Sequence, residues 1–223
     1  MLADFTSHDI EHAQRLAASR QRWRPGSVLM PAGAVGAHLL VSGWACSQRI
    51  LGDGRRQIFD VILPGEGYGW DAPGGAVARP TVVALTPVET VEAGGLASVT
   101  EGGEPDGLRR ALQAIQREED VRRLEHIVRL GRLTAPERVA HFILEMRQRL
   151  GAGGAHNFPL PLTQEVIADL LGLSVVHLNR VLRQFRTEGV VELRRGVAFL
   201  QDERALAMTA VLAPRPAERP AFR

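Results

Sequence analysis

Lysine is absent from this chain. All 27 basic residues among its 223 are arginine. Every chemistry that turns on a lysine amine is therefore excluded: no P-loop lysine on a nucleotide phosphate, no Schiff base, no pyridoxal chemistry. Cysteine is nearly absent too. Cys46 stands alone, so it can form no internal disulfide. Nor can it supply the several thiolates of a structural zinc site or an iron–sulfur cluster. A lone thiol packs as a small apolar group, and its scarcity fits a reducing compartment. Long apolar runs are missing as well: none approaches the ~20 residues of a membrane span. The opening Met1-Leu2-Ala3-Asp4-Phe5 lacks a basic segment followed by an apolar one. No export signal and a cytoplasmic location are expected. Hydrophobic content of 45% and charged content of 23% are ordinary for a globular chain, and at this length a core needs no disulfide or metal staple.

Charge is divided unevenly. Residues 1–131 hold 14 arginines and 16 acids, a net of −2; residues 132–223 hold 13 arginines and 9 acids, a net of +4. The hydrophobic period changes at the same place. Thr6 with Asp9 reads as the cap pair of a short helix bearing Ile10, Ala13, Leu16 and Ala17 on one face. From Trp23 to about Ala93, short apolar runs follow one another: Ser27–Met30, Val35–Val41, Trp44–Leu51, Gln57–Leu63, Thr81–Leu85 and Val88–Glu92. Between them stand turn residues such as Pro25-Gly26, Ser42-Gly43, Gly52-Asp53-Gly54 and Pro64-Gly65-Glu66-Gly67. That spacing predicts an antiparallel barrel or jelly roll rather than βαβ units. After the breaker-rich stretch 94–107 a long helix is predicted. Leu108, Leu112 and Ile115 start an apolar stripe that polar 116–120 interrupts and Leu124, Ile127, Val128 and Gly131 resume. The stripe is too narrow for full burial, so pairing of the helix over 108–131 with a second copy is expected. A connector lying on the barrel is the alternative. Thr134-Ala135-Pro136-Glu137 then reads as a capping box opening a helix with Val139, Phe142, Ile143, Met146 and Leu150 on one side.

The informative segment is 162–186. Thr163 can cap a short helix running to Leu170, Gly172 falls where a left-handed residue ends it, and Ser174 caps the next helix. Small Ala168 lets the two helices approach, and Ile167, Leu171, Leu178, Val181, Leu182 and Phe185 form the apolar side. This is a helix-turn-helix pattern. Ser174, Val176, His177, Asn179, Arg180 and Arg183 then point away from the core. Two strands around Arg194-Arg195-Gly196 read as a wing. Residues 174–195 carry five arginines and two acids, net +3, the footprint of a phosphate-facing element. The domain division is a sensor barrel over 1–105, a dimerisation helix over 106–131, a DNA-binding domain over 132–205 and a tail over 206–223, largely disordered, with Pro214, Pro216 and Pro220.

A β-rich N-terminal half, a long helix and a C-terminal winged helix-turn-helix together resemble the Crp/Fnr superfamily of bacterial transcription regulators. The resemblance covers about residues 10–205 and is most specific over Leu133–Leu200. Gly52-Asp53-Gly54-Arg55-Arg56-Gln57 and Leu63-Pro64-Gly65-Glu66-Gly67-Tyr68-Gly69 are similar to the family's hairpin and the approach to its ligand pocket. The resemblance implies an α+β fold: a cyclic-nucleotide-binding-like jelly roll, a dimerisation helix and a winged helix-turn-helix. It implies a homodimer on a near-palindromic double-stranded operator, with RNA polymerase as a further partner. Carried over by position, Arg180 reads a guanine through O6 and N7. Thr163, Gln164, Ser174 and His177 mainly contact phosphates. Val176 departs from the pattern, since the two best-known branches hold a base-reading Glu there. Asn179 is an additional base reader, and Arg183 and Arg195 complete the DNA-facing set.

Cyclic-nucleotide binders of the family carry Gly-Glu-Leu-(Gly/Ser), then Arg-(Ser/Thr)-(Ala/Thr). The matching stretches here are Gly69-Trp70-Asp71-Ala72 and Arg79-Pro80-Thr81. The indole of Trp70 donates one hydrogen bond but cannot accept from a ribose hydroxyl, and Pro80 has no N–H for a phosphate. Cyclic AMP and GMP are thus disfavoured. Gly69, Trp70, Arg79 and Thr81 still mark where an effector pocket would lie. The first stretch is closer to the Fnr branch, whose oxygen sensors hold an iron–sulfur cluster; one cysteine excludes that cluster. What remains are FixK-like regulators controlled by abundance, or nitric-oxide responders using haem. No cofactor is predicted, with haem the alternative and His8, His12, His38 and His126 the N-terminal-half histidines available to it. Jelly rolls also house metalloenzymes with clustered His and Glu. Here the predicted strands hold only His38, with Glu89 and Glu92 near their end, so neither a metal site nor catalysis is expected. The remaining rival is a helix-turn-helix that faces a protein partner instead of DNA.

Overall fold

A computed structural model describes residues 20–34, 36–69, 80–93 and 107–211. The helix expected near Thr6–Ala17, the pocket residues Trp70 and Arg79, the stretch 94–106 and the chain beyond 211 lie outside the described residues. The rest divides into two units. Among the described residues, one holds those up to Arg49 and those from Phe59 to Arg123; the other holds Ile50–Ile58 and those from Leu124 to Val211.

The first unit is built from short strands: β1 (Gln21–Trp23), β2 (Val28–Met30), β3 (His38–Ser42), β4 (Ala45–Ile50), β5 (Arg56–Ile62), β6 (Gly67–Tyr68), β7 (Thr81–Ala84) and β8 (Val88–Glu92). They form two four-stranded sheets ordered β1-β8-β3-β6 and β2-β7-β4-β5, with antiparallel pairing. Alternation sets the faces: along β7, Val82 and Ala84 turn inward while Thr81 and Val83 are half-buried. Leu29, Met30, Leu40, Ala45, Ile62, Tyr68 and Val88 complete that core. Burying each of the larger aliphatic side chains stabilises by roughly 1.5–3 kcal/mol. Gly43 shows why turn residues punctuate the runs. Its φ is +82°, and a Cβ there would stand 2.1 Å from the Pro87 carbonyl oxygen. Only glycine allows this approach.

Helix α1 spans Gly107–Arg132, 26 residues, in agreement with the length expected. Within the first unit it lies on the barrel: Ile115 is buried, and the Arg122 guanidinium sits 3.5 Å from Asp60 and 3.6 Å from Glu66. Further along, Leu124, Ile127 and Val128 are 64%, 65% and 41% exposed.

The second unit contains α2 (Ala135–Arg149), β9 (Asn157–Pro159), α3 (Gln164–Leu171), α4 (Val175–Thr187), β10 (Val191–Arg194), β11 (Val197–Leu200) and α5 (Glu203–Thr209). The strands form an antiparallel sheet ordered β10-β11-β9. Pro136 sits in the first turn of α2, and the Glu137 carboxylate accepts from the Thr134 N–H at 2.7 Å.

Three expectations are corrected. The tail does not begin at 206: Asp202 caps α5 by accepting from the Ala205 N–H at 2.9 Å, Leu206 is fully buried, and Glu203 pairs with Arg147 at 2.6 Å. The cap and the Leu206/Ala210 spacing signal this helix; the proline-rich composition further on obscured it. The strands β1, β6 and β9 were not anticipated. β9 and β6 are two or three residues long and lie at sheet edges, where a proline such as Pro159 removes no ladder bond that a neighbour needs. Finally, the tip of the β4–β5 hairpin, Ile50–Ile58, groups with the C-terminal unit, although its two strands belong to a barrel sheet.

Candidate nucleic-acid interface

Helices α3 and α4 are held at a fixed turn. Thr163 Oγ1 accepts from the Val166 N–H and Ser174 Oγ from the His177 N–H, each at 3.2 Å. Each cap satisfies a donor that the helix itself leaves open. Between the helices Gly172 adopts φ 61°, ψ 37°, and its N–H and that of Leu173 both reach the Ala168 carbonyl. The left-handed φ of Gly172 favours glycine, and a Cβ there would stand a tight 3.2 Å from the Leu130 side chain.

The helix pair sorts its side chains as the sequence pattern requires. Leu178, Val181 and Phe185 are buried, as are Ile167 and Leu171 of α3, with Leu182 half-buried. Ser174, Val176, His177, Arg180 and Arg183 are exposed and Asn179 is half-buried. At about 100° per residue, Val176, Asn179, Arg180 and Arg183 fall within one arc of roughly 100°. Thr163 and Gln164 are exposed at the start of α3. Arg195 stands exposed at the wing tip with φ 49°, followed by Gly196 at φ 74°. Two successive positive φ values between paired Arg194 and Val197 make a type I′ hairpin. The Arg194 guanidinium lies 4.6 Å over the Phe199 ring, which stiffens the wing.

Residues 137–209 match the Crp-like helix-turn-helix domain. The nitrogen fixation regulation protein FixK of Azorhizobium caulinodans is 33% identical over 179 residues, 78% of this chain and 71% of the relative. The chain belongs to the Crp/Fnr family of transcription regulators. Within it, the relatives point to the FixK branch. The transcriptional activatory protein AadR of Rhodopseudomonas palustris is 30% identical over 209 residues, 91% of this chain and 85% of the relative. The solved structure of FixK2 from Bradyrhizobium japonicum superposes with a TM-score of 0.75 at 28% identity, covering 87% of this chain and 98% of that one. This Crp/Fnr protein is therefore a DNA-binding transcription regulator and not an enzyme.

Two residues that support the regulator's helix-turn-helix escaped the sequence reading. Arg138 Nε donates to the Leu133 carbonyl at 2.8 Å, Nη2 to that of Leu130 at 2.8 Å and Nη1 to that of Leu171 at 3.0 Å. One guanidinium thus closes the C-terminal ends of α1 and α3. Asp169, on α3, accepts from Arg56 Nε at 2.7 Å, while its carbonyl accepts from Gln57 Nε2 at 3.0 Å. Arg138 follows a capping box and Asp169 lies in the last turn of a short helix, places where a charge usually meets solvent, so neither carried a signal.

Between α1 and α2 lies a buried ionic cluster. Arg129 donates through Nε to His141 Nδ1 at 3.1 Å and through Nη2 to Glu145, which also accepts from Arg149 Nη1 at 3.1 Å. His141 is neutral here, since Nδ1 accepts; its Nε2 is buried with no hydrogen-bond partner among the described residues. Burial, and then the Arg129 charge, bring His141 down to about 4. Burial alone would raise Glu145, but Arg129 and Arg149 outweigh it and hold the carboxyl at about 2.

In the barrel, Gly69 and Thr81 are the two effector-pocket residues that are described. Gly69 has φ +79°, and a Cβ there would meet the Gly36 carbonyl oxygen at 1.9 Å, so its observed role is close backbone packing. Thr81 opens β7 opposite Gln48. Of the candidate haem histidines, His38 stacks on Tyr68 with ring centroids 5.0 Å apart, and burial lowers its pKa. His126 is buried on α1. No three His, Cys, Asp or Glu residues gather into a metal-binding group among the described residues, and no described helix is long and apolar enough to cross a membrane.

Proposed function

We propose that the regulator acts as a homodimer that reads a near-palindromic operator through α4. The carrying observation is the arc of exposed Val176, Arg180 and Arg183 with half-buried Asn179, opposite an apolar buried side, on a helix capped by Ser174. In this reading Arg180 takes a guanine by its O6 and N7 acceptors and Asn179 a neighbouring base. Thr163, Gln164, Ser174, His177, Arg183 and Arg195 meet phosphates and set register. The two recognition helices enter successive major grooves about 34 Å apart. RNA polymerase is the further partner, in the cytoplasm. The barrel works without an iron–sulfur cluster, given the single, buried Cys46. An effector, haem included, would act by unequal affinity for two states.

Binding to a duplex selected from a random library should weaken on the order of a thousandfold between ~50 and ~200 mM salt, and far less for the gap between operator and scrambled DNA. Affinity that ignores salt would overturn the interface. The dimer rests on Leu124, Ile127 and Val128, an apolar face at helical spacing open to solvent in the single chain. Native mass spectrometry should give the mass of two chains without added cofactor, and one chain once Leu124 and Ile127 are both changed to Asp. A wild-type monomer at DNA-binding concentrations would sink the pairing.

A further inference from the structure

Val176 lies on the solvent face of α4. It is 71% exposed and lies about 180° around the helix from buried Phe185. Its neighbours on that arc, Asn179, Arg180 and Arg183, all carry hydrogen-bonding groups. Valine carries none, so it can take neither a phosphate oxygen nor a polar base edge. It stands at the second position of the helix after the Ser174 cap, in the N-terminal turn that reaches deepest toward base edges in a helix-turn-helix. Only one feature of the major-groove floor suits a branched aliphatic group: the 5-methyl of thymine. The rise from Val176 to Arg180 is about 6 Å, so the two would touch base pairs about two steps apart at ~3.4 Å each.

We infer that Val176 is a specificity-determining residue that reads a thymine methyl group within two base pairs or so of the guanine taken by Arg180. This rests on the proposed DNA-reading role of α4. An alternative contact, valine on a sugar–phosphate edge, would bring no base preference.

The test uses the full-length protein and its selected operator. Each thymine is replaced in turn by uracil in both half-sites, which removes the methyl and keeps base pairing. Loss of one buried methyl corresponds to about fourfold in affinity per half-site. The expected result is one uracil-sensitive position near the guanine, whose sensitivity disappears in Val176→Ser. Val176→Glu should move the preference at that position toward cytosine, whose N4 donates to a carboxylate. Both variants alter a solvent-facing side chain, and unchanged binding to scrambled DNA reports that they fold. If the operator is still preferred over scrambled DNA but no thymine is uracil-sensitive, or the sensitivity persists in Val176→Ser, the inference about Val176 is wrong and the reading helix stands. If wild-type protein does not distinguish operator from scrambled DNA at all, both readings fall.

Discussion

Arg180→Ala is expected to weaken binding to the operator by roughly 5- to 150-fold per half-site, about 1–3 kcal/mol, while binding to scrambled DNA changes little. Two features make the effect separable from folding. The side chain is exposed on α4, and the side of that helix that holds the fold is Leu178, Val181 and Phe185. A guanidinium offers two parallel donors that match guanine O6 and N7, so alanine should also relax the preference at one base pair. Because a dimer uses the contact twice, the loss on a palindrome is the square of that on one half-site. Titrations on operator, single-base variants and scrambled duplex check all of this. Equal loss on every sequence would make Arg180 a phosphate contact instead.

The second large effect is on stability. Glu145→Ala leaves the buried guanidinium groups of Arg129 and Arg149 without their shared carboxylate. Removing one member of a buried ionic cluster costs about 3–5 kcal/mol, read as a shift of the urea midpoint at constant protein concentration. The same cluster gives the protein an acid-sensitive profile. His141 is held neutral down to about 4, whereas an unfolded histidine takes a proton near 6.5. Between those values the unfolded chain binds the extra proton, so stability falls as pH drops from about 6.5 to about 4. Glu145 extends the decline: its carboxylate contribution is present above about 4.5 and is lost as pH falls toward about 2. His141→Gln should flatten the upper part of this slope and leave the lower part. A slope unchanged by the substitution would show that other groups set it.

Much of the reading helix was legible because it obeys local rules. A serine cap, a left-handed glycine and apolar residues three and four apart are each set by backbone geometry within one turn, and the structure keeps all of them. The barrel was legible as alternating runs for the same reason, down to Gly43 and the Gly52-Asp53-Gly54 hairpin. What stayed hidden depends on distant partners. Nothing near Asp169 in sequence announces Arg56, 113 positions away. Arg129, His141, Glu145 and Arg149 read as ordinary polar positions on amphipathic helices, yet they meet in the interior. Short edge strands such as β9 owe their conformation to β11, not to their own asparagine and proline.

Arg138 carries a mechanical implication. With the carbonyls of Leu130, Leu133 and Leu171 all on one guanidinium, the end of the long helix is no loose joint. A twist of its last turn would be carried by that guanidinium to the turn at Gly172 as if through a keyed shaft.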